Sequence, residues 1–125
     1  MGGTVAQGNV AHIEFASSNL AASRRFYERI FGWHFEEAPG MEEYLMFATP
    51  NGQGGGFDAG PRSSGPSATG PILHIEVDDI DATLARVSEM GGKTLVLRTK
   101  ISDEHGHFAL FLDNVGNRLG LWSPR

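Results

Sequence analysis

Cysteine is absent from the 125 residues. That removes thiolate nucleophiles, thiolate metal sites and disulfides, and it leaves the redox compartment undetermined. Basic residues are scarce: ten Lys and Arg against fifteen Asp and Glu give a net charge of -5. Phosphate binding needs the opposite balance, so nucleic acid is not an expected partner. Long hydrophobic runs are missing too. The longest, residues 108–112, is far too short to cross a bilayer, and no membrane partner is expected. The first residues lack a basic segment followed by an apolar stretch, so no secretory leader is read there and a cytoplasmic protein is expected. No Ser-centred elbow, P-loop lysine motif or H-E-x-x-H pair occurs, and those reaction classes have no support.

What the chain does contain is a pattern used twice. His12-Ile13-Glu14-Phe15 and His74-Ile75-Glu76-Val77 each read as a strand whose side chains alternate between two faces. One face is apolar and suited to burial under a helix. The other carries an imidazole and a carboxylate. After the first stretch, Asn19 caps an apolar-periodic run that stops at Gly32. After the second, Asp79 caps a run with Ile80, Leu84 and Val87 that stops at Gly91-Gly92. Residues 44–57 then align without a gap on residues 108–121, with Phe47/Phe111, Gly52/Gly116 and Gly56/Gly120 identical. Self-similarity at a fixed offset marks an internal repeat, here with two large copies.

In order, the chain reads as a loose end over 1–8, a strand over 9–15, a helix over 20–31, and strands over 33–37, 44–48 and 53–58. A segment of turn formers over 59–71 reads as an exposed linker. The second copy has strands at 72–77, 93–97, 107–112 and 117–122, a helix over 80–90, and a polar loop over 98–106. This predicts one α+β domain spanning 1–125, built of two tandem βαβββ modules, about 9–58 and 72–123. The two modules would form a curved eight-stranded sheet whose non-helical faces line a cleft. His12, Glu14, His74 and Glu76 would all face it.

These segments carry a family resemblance. The His12…Asn19-Leu20…Phe26-Tyr27…Phe31-Gly32-Trp33 module, the Gly54-Gly55-Gly56-Phe57 segment and Asp113-Asn114-Val115-Gly116-Asn117 resemble the vicinal oxygen chelate superfamily. That group includes glyoxalase I, extradiol dioxygenases, and the fosfomycin and bleomycin resistance proteins. The branch most similar is the one called "enzymes related to lactoylglutathione lyase". The resemblance implies a homodimer, a small organic molecule as ligand or substrate, and histidine metal ligands at His12 and His74. It places the accompanying carboxylate ligands at Gly56 and Gly120, where glycine cannot ligate.

Candidate roles follow from these residues. Two imidazoles alone hold a divalent ion weakly. Glu14 and Glu76, two residues from each histidine on the same strand face, could complete a rearranged metal site or serve as a general base, the catalytic candidates. Otherwise His12, Glu14, His74 and Glu76 line a polar cleft, with Phe57 and Trp122 as aromatic walls for an organic ligand. No cofactor is expected, the exception being a divalent metal in the rearranged site. The Gly54-Gly55-Gly56 run marks either close approach of a ligand or room for bulky neighbours. The Asp103-Glu104-His105-Gly106-His107 cluster reads as a solvated loop, with His107 nearer the cleft than His105. The expected activity is binding of an organic molecule without a standard metal, the alternative a glyoxalase-like isomerase or lyase.

Overall fold

The computed structural model describes residues 7–60 and 70–125. The element order is β1 (Ile13–Ala16), α1 (Leu20–Phe31), β2 (His34–Glu37), β3 (Tyr44–Ala48), β4 (Gly54–Asp58), β5 (His74–Glu76), α2 (Ile80–Glu89), β6 (Lys93–Ser102), β7 (Gly106–Leu112) and β8 (Arg118–Ser123). This is βαβββ twice, an α+β fold. The strands form two sheets of four, ordered β1-β4-β3-β2 and β5-β8-β7-β6. The repeat is exact in register: Leu45 pairs with Phe57 and Met46 with Gly56, as Ala109 pairs with Leu121 and Leu110 with Gly120. The expected linker and N-terminal end fall largely on residues 61–69 and 1–6, outside the described residues.

Both helices start and stop where the side chains dictate. The Asn19 and Asp79 side chains accept from the backbone N–H of Ala22 and Ala82, each at 3.0 Å. Gly32 ends α1 at φ 69°, a left-handed conformation that glycine adopts without a Cβ clash. The first strand is shorter than expected, so His12 stands just ahead of β1. The expected loop over 98–106 is mostly strand, because β6 continues to Ser102 through register shifts opposite β7. No helix among the described residues is long and apolar enough to cross a membrane.

One core serves both modules. Phe26 and Phe31 of α1 pack on Phe111 of β7, at ring-centroid distances of 6.3 and 6.1 Å. Tyr27, fully buried, donates its hydroxyl to Asp113 Oδ2 at 2.8 Å. Asn114 and Asn117 donate their side-chain amides to the carbonyls of Ala22 and Ala16 at 2.9 and 2.8 Å. The turn between β7 and β8 therefore fastens module 2 onto α1 of module 1.

Candidate functional site

Strand alternation puts the predicted polar residues on the sheet faces away from the core. On the first sheet, Phe15 is buried while His12 and Glu14 are exposed. Tyr44 joins them from β3, with Oη 2.5 Å from His12 Nε2 and the two rings stacked at 6.1 Å. The Tyr44 ring lies over Gly56, in the space that a Cβ on that glycine would need. Burial, then a hydrogen bond to Glu14, then the negative charge of Glu14 and Asp58 push the Tyr44 phenol up to about 12. The arrangement is a short chain of imidazole, phenol and carboxylate. Tyr44 was not among the sequence candidates, yet a signal existed: β3 alternation sets it on the face of Met46, beside Gly56.

The second sheet repeats the theme with another ring. The His74 ring lies over Gly120, where again a Cβ would collide with it, and meets Phe108 edge-on at 6.5 Å. Glu76 is exposed beside it. Trp122 is on the same open face, half-buried, and its indole N–H donates to the His105 carbonyl at 2.7 Å. Asp103 pairs with Lys100 at 2.6 Å, which accounts for part of the acidic loop. His107 does not reach this face. Its position in β7 shares the core side with Ala109 and Phe111, and its Nδ1 is buried with no partner among the described residues.

Two expectations change in the structure. Phe57 is fully buried, stacked with Phe15 at 5.2 Å, so it supplies core and cannot touch a ligand. Glu14 and Glu76 are exposed, where the general-base role expected partly buried carboxylates. The glycine run is also resolved. A Cβ on Gly55 would collide with the Ile13 carbonyl and the Phe47 ring, so close neighbours rather than a ligand require glycine there.

The four cleft residues do not share one pocket within the chain. His74 and Glu76 border a cavity of about 740 Å³ between the modules, whereas Glu14 lines a separate hollow with Tyr44 and Asp58. Among the described residues, no three His, Asp or Glu side chains are grouped to hold a metal ion. With rings covering both glycines, the donor set does not fit a divalent ion.

The chain matches the Glyoxalase/Bleomycin resistance protein/Dioxygenase superfamily over residues 9–121. It belongs to that superfamily. CFP32 of Mycobacterium bovis is 29% identical over 120 residues, 93% of this chain and 46% of that protein. This glyoxalase-superfamily chain thus spans about half the length of the curated relatives it first matches. Among solved structures, a glyoxalase/bleomycin resistance protein/dioxygenase family enzyme from Burkholderia phytofirmans superposes with TM-score 0.75 at 16% identity, covering 92% of this chain and 98% of that one. TnmS3, an antibiotic binding protein from Streptomyces, does so with TM-score 0.69 at 24% identity, covering 98% and 100%. Both likenesses concern the fold.

A spectroscopic result follows for this superfamily member, because it has two tyrosines and both phenols are raised. For Tyr27, burial and the Asp113 carboxylate are the causes, burial first. Absorbance titration of the folded protein is expected to show no phenolate at pH 10, with Tyr44 ionising near 12. In urea both should ionise near the ordinary value of about 10. A group whose pKa is raised on folding contributes stability that is complete below its unfolded pKa and lost as pH rises. For Tyr44 the window runs from the ordinary 10 to about 12. A phenolate appearing at pH 10 in the folded protein would contradict the burial of the two rings beside their carboxylate neighbours.

Proposed function

We propose that this glyoxalase-superfamily protein binds a small organic molecule and does not use the metal-dependent chemistry of its superfamily. The observation that carries the reading is the pair of covered glycines: the Tyr44 ring sits on Gly56 and the His74 ring on Gly120. Where the resemblance calls for carboxylate ligands, this chain offers a phenol and an imidazole, groups that stack on and hydrogen-bond to organic compounds. TnmS3, of the same fold, is named as an antibiotic binding protein. The reading includes a homodimer in the cytoplasm. Half-exposed Met46 and exposed Leu95, Leu97 and Ile101, together with the open edges of β1, β2, β5 and β6, favour association between copies.

The test begins with elemental mass spectrometry on tag-free protein, wild type beside His12→Ala/His74→Ala. Metal at background in both is the expected result. A panel of polycyclic organic compounds should then include members that raise Tm by binding the folded state. Metal near one equivalent per chain, lost in the double variant, would overturn the reading.

A second reading rests on the His12–Tyr44–Glu14 chain, which could relay a proton in a glyoxalase-like isomerase or lyase acting next to a carbonyl. Glu14→Gln and Glu76→Gln separate the two. Lost turnover of a hemithioacetal would favour the enzyme; changed affinity alone favours the binder.

A further inference from the structure

The cavity between the modules is bordered by His74, whose ring lies over Gly120, but not by Tyr44, whose ring lies over Gly56. No ladder joins β1 to β5. Along that seam the inward residues of both strands, Ile13 and Phe15 from one and Ile75 with neighbouring Val77 from the other, face a space of about 740 Å³. Trp33 and Phe47, both buried elsewhere along their surfaces, add aromatic walls. Such a gap leaves apolar side chains of both modules beside open space that a ligand can fill. Its volume falls within the roughly 300–1,000 Å³ of ligand pockets, and like them it combines apolar and aromatic walls with polar groups, here Thr49, Asn51, Gln53, His74 and Glu76.

We infer that this intermodule cavity is the binding site, and that it takes an aromatic molecule, uncharged or cationic, bearing an N–H donor. The inference rests on the small-molecule reading above and gives it a location and a ligand class. The chemistry comes from the rim. Asp78 is already paired with Arg125 at 2.9 Å. Glu76 has no hydrogen-bond or ion-pair partner among the described residues, and so offers a carboxylate acceptor at the mouth. A carboxylate there repels an anion and accepts from an amine, while the walls accept a ring system.

The probe is N-phenyl-1-naphthylamine, a neutral aromatic amine whose fluorescence rises in apolar surroundings. Wild type should bind it saturably, near one per chain. Ile13→Phe and Val77→Phe, which fill the cavity, should weaken binding at least tenfold, whereas Arg25→Ala on the exposed face of α1, away from the cavity, should leave it unchanged. Because the filling variants could disturb the fold, each is checked by circular dichroism and Tm. Glu76→Gln, at an exposed position, supplies an independent arm. It should weaken the amine several-fold and leave the N-methylated probe, which lacks the N–H, unaffected.

Folded filling variants that bind like wild type would overturn the inference. So would equal effects of Glu76→Gln on both probes. Binding lost in Tyr44→Ala but kept in the filling variants would move the site to the open face; the binding function would stand and the cavity assignment fall. Absence of probe binding would also remove the assignment, while any hit from the polycyclic panel would still support the function.

Discussion

Asp113→Ala is expected to cost roughly 3–5 kcal/mol and to lower Tm by about 10–20 °C, the largest loss from a single polar side chain here. Asp113 is buried, and its two oxygens accept four hydrogen bonds. Oδ1 takes the backbone N–H groups of Val115 and Asn117 at 3.0 and 2.8 Å, which shapes the β7–β8 turn. Oδ2 takes the Tyr27 hydroxyl at 2.8 Å and the Asn117 amide at 3.1 Å. Removing the carboxylate leaves buried donors without acceptors, each at a desolvation penalty of about 1–3 kcal/mol. It also frees the turn whose neighbours Asn114 and Asn117 hold the first module. Urea unfolding of wild type and variant measures the cost. A loss below about 1 kcal/mol would mean that apolar packing alone joins the modules.

The three consecutive glycines should respond to alanine in three different ways. Gly55→Ala is expected to destabilise by about 3 kcal/mol or more, at the upper end of overpacking effects. Its Cβ would strike the Ile13 carbonyl and the Phe47 ring, and Ile13 is the parallel partner of Gly55 in the β1–β4 ladder. Backbone cannot yield there without loosening that ladder. Gly54→Ala meets only the Phe47 carbonyl at 4.0 Å and should be neutral or stabilising by up to about 1 kcal/mol, since alanine restricts the unfolded chain. Gly56→Ala first meets the Tyr44 ring, a side chain that can swing outward. It should cost about 1 kcal/mol and return the Tyr44 phenol toward its ordinary value. Thermal melts of the three variants rank them. Equal effects at Gly54 and Gly55 would contradict the close approach of β1 to β4.

The features legible in the sequence were those set by local chemistry or by the repeat. Asn19, Asp79 and Gly32 mark helix ends because caps act over three or four residues. The alignment of 44–57 on 108–121 gives the strand pairing, since duplicated sequence folds to duplicated register. Phe57 misled because an aromatic beside an apparently vacant ligand position fits a pocket wall as well as a core. Only burial against Phe15 and Phe47 decides between them. The strand over 98–102 was hidden because β6 is an edge strand, where polar residues such as Arg98 and Lys100 are tolerated and alternation is weak. Tyr44 was missed because its role depends on a diagonal relation across strands to Gly56, which no spacing within one strand reveals. The separation of His12 from His74 arises from the division into two sheets, a tertiary matter.

The seam that binds α1 to the β7–β8 turn has a consequence for how the protein is made. Tyr27 and Asp113 are 86 positions apart, and Ala16 and Asn117 are 101 apart. During translation α1 emerges with Phe26 and Phe31 lacking their partner, because Phe111 has not yet been synthesised. At 5–20 residues per second, that aromatic surface waits on the order of ten seconds for its cover. Half the chain is therefore exposed to chaperones and to neighbouring nascent chains before its own C-terminal portion can claim it.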